Sequence, residues 1–232
     1  MKPNQKHISK QNNRYYDKIA ADYDAMLSHN TQEDFLRKKV AEKLTSFLKE
    51  GTVLDFGGGT GEDLKWLLEH HYKVIFCEPS SGMRKMAMDK FPEAGIVFLE
   101  NSQTDFTSWD ETLPFQEKVN GVIANFAVLN CILDLDLFFK KLTLITAEKA
   151  EIVLLVLHYN LKKRMQMNFF GALKSLNGAK PMNVKVAFQG EKQLVYLHSV
   201  KSIRKATAEY FEFQSCELLK EEGFSLIHLT KK

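Results

Sequence analysis

The chain has 232 residues, 44% of them apolar, which suits one well-filled domain. Its net charge of +3 is too slight to mark a nucleic-acid surface without a clustered basic patch. Cys77, Cys131 and Cys216 lie far apart with no CxxC pair, which excludes the familiar zinc and redox motifs and suggests reduced, buried thiols in a cytoplasmic protein.

No apolar run nears the roughly 18 residues of a membrane span. The polar start, Met1 to Arg14, has no signal-peptide core. Residues 1–13 read as a mobile arm, and Tyr15 to Leu27 as an aromatic segment, helical in part. Over 33–49, Leu36, Val40, Leu44, Phe47 and Leu48 are spaced for one apolar helix face, and Gly51 ends it.

A strand is expected at 52–56 and a helix from about 62. Another strand follows at 73–77, with a helix over 82–90. Strands near 95–99 and 119–124, a helix over 134–146 and a strand at 150–157 continue the rhythm. Such alternation implies parallel strands covered by helices on both faces. The run Ile152-Val153-Leu154-Leu155-Val156-Leu157 fits a strand buried on both sides.

The rhythm breaks after 158. Residues 159–182 are rich in Met and Phe, and Lys162, Lys163 and Arg164 read as a solvated turn or a contact for an acidic partner. A hairpin is expected over 184–198, a helix near 200–208, and two strands, 211–216 and 225–229, closing the sheet edge as an antiparallel pair.

The stretch Val53-Leu54-Asp55-Phe56-Gly57-Gly58-Gly59-Thr60-Gly61-Glu62 is a strand entering a glycine turn and then a helix. Glycine there admits positive φ and close ligand approach. The new helix offers free N–H groups, outside the strand ends where such folds bind ligands. Glu78 ends the second strand and can accept both hydroxyls of a ribose.

A dinucleotide turn needs G-x-G-x-x-G. Gly57, Gly59 and Gly61 give G-x-G-x-G, and Glu62 stands where the last glycine would be. An acid there repels pyrophosphate, which disfavours a nicotinamide oxidoreductase. With Asp55, it suits a cofactor carrying an ammonium and a sulfonium, S-adenosylmethionine.

On these residues the chain resembles the class I S-adenosylmethionine-dependent methyltransferases of small-molecule type. Val53–Glu62 is similar to the family's first motif, and Ile75-Phe76-Cys77-Glu78-Pro79-Ser80-Ser81-Gly82-Met83 to its second. Tyr15–Asp24 resembles the lead-in that folds over the cofactor, and Val122–Asn130 the fourth strand and its loop. The resemblance covers about 14–158 and weakens beyond.

It implies a Rossmann-like, doubly wound, seven-stranded, mostly parallel α/β sheet with one late antiparallel strand. A single domain would comprise an N-terminal helical arm or lid (1–30), a cofactor-binding core (31–158), a substrate-covering insertion (159–200) and a closing unit (201–232).

It further implies that Asp55, Gly57, Gly59, Gly61, Glu78, Pro79 and Met83 hold S-adenosylmethionine. Tyr15 or Tyr23 would meet its methionine tail or sulfonium, and Asn125 and Phe126 would line its pocket. The family often places an acid after the third strand for the adenine; here that place falls on Ser102, with Gln103 beside it.

His158 and His198, near the strand ends, are the candidates for a general base. The expected activity is methyl transfer to oxygen, nitrogen or carbon of a small molecule, leaving S-adenosylhomocysteine. No metal or membrane is expected. An RNA or protein methyltransferase, or a non-catalytic S-adenosylmethionine-binding module, remains the alternative. The fourth-strand loop lacks the Asn/Asp-Pro-Pro-aromatic pattern of nucleic-acid amino-methylating enzymes, and a nucleic-acid partner is disfavoured.

Overall fold

The computed structural model describes residues 4–27, 31–92, 95–110, 117–158, 182–188 and 190–232. Most of the insertion expected to cover the substrate, including Lys162–Arg164 and the Met- and Phe-rich run, lies outside these residues.

Seven strands form one sheet in the order β3-β2-β1-β4-β5-β9-β8. They are β1 (Thr52–Phe56), β2 (Lys73–Cys77), β3 (Ile96–Phe98), β4 (Val119–Ala124), β5 (Thr146–Leu157), β8 (Phe211–Leu219) and β9 (Phe224–Lys231). The pairs from β3 to β5 are parallel. Only β9 runs against the rest, antiparallel to both β5 and β8. A separate hairpin pairs β6 (Met182–Phe188) with β7 (Glu191–Leu197). The seven-stranded, doubly wound expectation holds.

Alternate residues of the central strands feed two cores, as a period-two strand requires. Leu54, Ile152, Leu154 and Val156 pack on one face with Phe138, Phe139 and Leu142 of α5 (Leu135–Ile145) and Ile203 of α6 (Val200–Thr207). Val53, Val153 and Leu155 pack on the other with Leu36, Val40 and Leu44 of α2 (Thr31–Phe47) and Leu64 and Leu67 of α3 (Leu64–Glu69). Covering both faces allows every central strand to be continuously apolar.

The N-terminal arm departs from expectation. Residues 5–13 are not a loose extension but the first turns of a helix, α1 (Gln5–Leu27). Ile8 is buried in a cluster with Leu194 and Tyr196 of β7. Tyr15, Ile19 and Ala20 pack on Met83 of α4 (Ser81–Lys90). Asn12 fastens the helix to the hairpin: its amide donates to the Leu194 carbonyl at 3.1 Å and accepts the Leu194 N–H at 2.8 Å.

The acids of the lead-in segment tie α1 to the core. Asp17 accepts from the Gly82 N–H (3.0 Å), Ser80 Oγ (2.7 Å) and Ser81 Oγ (3.2 Å) at the start of α4, where the helix dipole favours an anion. Asp24 accepts from Thr60 Oγ1 at 2.6 Å and pairs with Lys90 at 2.7 Å.

Candidate active site

The strand order reverses between β1 and β4, and a cavity of about 550 Å³ opens there beyond the strand ends. A reversal of this kind leaves a crevice where ligands bind, and the volume suits a small molecule. The glycine turn forms its floor, the loops after β2 and β4 its sides, and α1 its cover.

Gly59 has φ +60, and a β-carbon there would meet no atom within 4 Å, so the turn presents bare backbone to open space. Gly61 serves packing instead. Its β-carbon would stand 2.9 Å from Ala87 of α4, and Gly61 is not among the cavity's lining residues.

Two buried carboxylates flank the turn. Glu78, at the end of β2, accepts the Gly59 N–H at 2.9 Å and the Ser80 N–H at 2.7 Å, one on each oxygen. Burial raises its pKa to about 7, against the opposing pull of those N–H groups and of Arg84. Asp55, 1% exposed, lies beneath the turn; its Oδ2 has no hydrogen-bond partner among the described residues. Burial and the neighbouring Asp63 hold its pKa well above the usual carboxylate range.

Asp63 is the hub that sequence reasoning missed. It accepts from Arg37 Nη1 (2.7 Å), Asn125 Nδ2 (2.9 Å) and Trp66 Nε1 (2.8 Å). Asn125 is thereby fixed, while its Oδ1 has no partner among the described residues. The Arg37 guanidinium stacks over Phe126 at 4.4 Å. Phe126 and Ala127 both adopt positive φ, +46 and +69. Such backbone is costly away from glycine and gathers at functional sites.

Glu62 plays a lesser part than its place in the motif suggested. It is half exposed and pairs with Lys90 at 2.5 Å, so its charge is already countered; the inward acid is its neighbour, Asp63.

The other expected site residues divide. Tyr23, Gly57, Gly59, Glu78, Pro79, Met83, Asn125 and Phe126 line the cavity. Tyr15 does not, because it is buried between α1 and α4; Tyr16 takes the inward place. The Tyr16 hydroxyl accepts from Gln193 Nε2 at 2.6 Å and lies 4.0 Å from Cys131 Sγ. Cys131, expected as a reduced, buried thiol, is thus a half-buried lining residue.

Beyond β3, Ser102 lines a separate shallow hollow, and Gln103 turns back to accept the Glu100 N–H at 2.9 Å. Asn101, Thr104, Asp105 and Phe106 line the cavity in their stead.

Neither expected base reaches it. His158 bonds Ser225 Oγ at 3.2 Å, and its N–H donates to the Gly223 carbonyl at 2.7 Å, on the β9 side. His198 is buried with Nε2 2.7 Å from the Ile132 carbonyl, and burial lowers its pKa. Among the described residues no group of His, Cys, Asp and Glu could hold a metal, and no helix is long and apolar enough to cross a membrane.

A methyltransferase-domain family profile matches residues 27–210. Among curated relatives, an uncharacterized methyltransferase of Oceanobacillus iheyensis is 33% identical over 103 residues, 42% of this chain and 45% of that protein. One of Alkaliphilus oremlandii is 45% identical over 49 residues, 21% and 23% of the two chains. The matches thus span less than half the length of these curated relatives.

Solved structures share the fold at low identity. A DhpI–SAH complex superposes with TM-score 0.69 at 16% identity, covering 97% of both chains. The N-methyltransferase NodS of Bradyrhizobium japonicum, with S-adenosyl-L-homocysteine, gives 0.66 at 11% identity over 95% of this chain and 98% of that one. The 1,6-didemethyltoxoflavin-N1-methyltransferase of Burkholderia thailandensis gives 0.67 at 11% identity over 99% and 91%.

Proposed function

We propose that this chain, which belongs to the family of methyltransferase domains, transfers the methyl group of S-adenosylmethionine to a small-molecule acceptor. The observation that carries this reading is the pair of buried carboxylates, Glu78 and Asp55, on either side of a glycine turn that opens onto a cavity at the sheet's reversal point.

The residues present fit the cofactor. Each Glu78 oxygen accepts one backbone N–H and keeps a lone pair for a ribose hydroxyl. Asn125 Oδ1, on the cavity wall, is a buried acceptor without a described donor, and an ammonium supplies donors, while Asp55 lies beneath the turn and does not line the cavity. Arg37 spends Nη1 on Asp63 and has further N–H groups for a carboxylate. Tyr16 and Tyr23 bring aromatic rings to the cavity, whose faces attract a cation.

When bound, S-adenosylmethionine supplies an electrophilic methyl on a positively charged sulfur. The chain's own part is to hold donor and acceptor in line, an effect worth roughly 7–11 kcal/mol in well-oriented systems. The arm α1, pinned by Asp17, Asp24 and Asn12, covers the cavity and limits water. The arm is then a cover fixed at both ends rather than a closing lid.

Calorimetric titration with S-adenosylhomocysteine, followed by a radiolabelled methyl-transfer screen of small acceptors, tests the proposal. Saturable binding and a labelled product support it. Binding without transfer to any acceptor class would favour the non-catalytic module instead.

A further inference from the structure

We propose that the acceptor carries an oxyanion, a carboxylate, phosphate or phosphonate, which docks at the cavity mouth against Lys6, Lys10 and Arg14. The proposal rests on the methyl-transfer reading and adds the substrate's chemical class to it.

The three cations stand four residues apart on α1, on neighbouring turns, and all three line the cavity. The row spans about 12 Å along the helix axis. Each side chain is exposed, and none makes an ion pair or hydrogen bond with a described residue. Ser9 and Asn13, also lining the cavity, interleave the row with neutral hydrogen-bonding groups.

The lining acids differ. Asp17 is held by Ser80, Ser81 and Gly82, Asp63 by Arg37, Glu62 by Lys90, Glu78 by two backbone N–H groups, and Asp105 by Thr107. Negative charge in the cavity therefore has partners already, while the positive charge at its mouth has none among the described residues.

A solvated helix face gains from opposite charges at this spacing and loses from like ones. Lys6–Lys10 and Lys10–Arg14 are two like pairs in succession. An oxyanion between them relieves that repulsion, and the local field would draw an anionic molecule toward the opening.

A small molecule fits better than a nucleic-acid strand. The row is short, and it rims a cavity whose wall includes Asn12 and Tyr16, both hydrogen-bonded to β7.

The test titrates the full-length protein, with and without S-adenosylhomocysteine, against inorganic phosphate, acetate and a single-stranded RNA oligonucleotide. It compares the wild type with the triple variant Lys6→Gln, Lys10→Gln, Arg14→Gln. Glutamine is a good helix former, so α1 is retained, and circular dichroism checks this. The single variant Lys10→Glu provides a second arm.

The expected result is saturable binding of phosphate or acetate to the wild type, weakened at least tenfold in the triple variant and weakened by Lys10→Glu. S-adenosylhomocysteine affinity should stay within twofold. The arm without S-adenosylhomocysteine decides the anion question even if the cofactor reading fails. Equal anion affinity in wild type and triple variant, no saturable anion binding, or RNA binding tighter than phosphate through the same three residues overturns the proposal. Whether phosphate or acetate binds more tightly identifies the kind of oxyanion.

Discussion

The carboxylate of Glu78 reaches from the end of β2 to the glycine turn after β1 and accepts the Gly59 N–H at 2.9 Å. This bond couples the acid proposed to bind the ribose to the backbone that faces the cavity. Its loss is felt twice, once in ligand contacts and once in the shape of the turn. Glu78→Gln places an amide donor where one of two N–H groups now finds an acceptor. Hydrogen bonds to a charged group contribute about 1.5–3 kcal/mol, so the variant should bind S-adenosylhomocysteine roughly 10- to 100-fold more weakly by calorimetry. An unchanged dissociation constant would remove Glu78 from the site.

The same residue sets a pH dependence. The folded pKa of about 7 lies above the ordinary 4.5, so the folded chain takes up a proton between those values. Glu78's contribution to stability is therefore fully present below the ordinary value and lost as pH rises through about 7. In the proposed role ligand binding runs the other way, because ribose hydroxyls would donate to the ionised form. S-adenosylhomocysteine affinity should be about tenfold weaker at pH 6 than at pH 8, and Glu78→Gln should flatten that profile.

Gly59→Ala separates backbone strain from lost space. Left-handed φ costs a non-glycine residue about 1–2 kcal/mol, which a thermal melt reads as a modest loss of stability. The new methyl meets no protein atom, so any larger defect lies in the cavity. Calorimetry should show more than tenfold weaker S-adenosylhomocysteine binding. Intact affinity would mean that the ligand does not approach the turn at this point.

Asn12→Ala breaks both hydrogen bonds to Leu194 and leaves the Gln11–Lys192 and Tyr16–Gln193 bonds between α1 and β7 in place. Leaving the Leu194 N–H and carbonyl without partners should cost about 1–3 kcal/mol in denaturant unfolding. Faster amide exchange at Leu194 is the local signature. Exchange at the wild-type rate would show that packing around Ile8, rather than Asn12, holds the arm.

His158→Ala should leave S-adenosylhomocysteine affinity within twofold, since His158 bonds Ser225 and does not line the cavity. A tenfold loss would place the imidazole in the site after all.

The turn and the strand-two acid were legible because each is a short contiguous segment whose chemistry needs no knowledge of the fold. The sheet was legible from its continuously apolar strands. The arm was not, because the largely polar residues 5–13 show no apolar periodicity strong enough to mark the first turns of α1. Once the helix starts at Gln5, Ile8, Tyr15 and Ile19 share one buried face, which turns Tyr15 into packing and Tyr16 toward the cavity.

Asp17 and Asp24 lie in the lead-in motif beside its tyrosines, and it is these acids that bind the core. Asp63 followed Glu62 by one residue, and only the start of α3 at Leu64 decides which of the two faces inward. Ser102 and Gln103 missed by the same margin, in a loop where no periodicity fixes direction. The two histidines lie close in sequence to strand ends, yet their hydrogen bonds face Ser225 and Ile132, partners distant in the chain.

The chemistry of this cavity suits an amino-acid-bearing sulfonium nucleoside rather than a dinucleotide. Calorimetric titration of the wild type with S-adenosylhomocysteine and, separately, with NAD tests it most directly. Saturable one-to-one binding of S-adenosylhomocysteine, lost or sharply weakened in Glu78→Gln, and no measurable binding of NAD are expected. Saturable NAD binding with none of S-adenosylhomocysteine would contradict it.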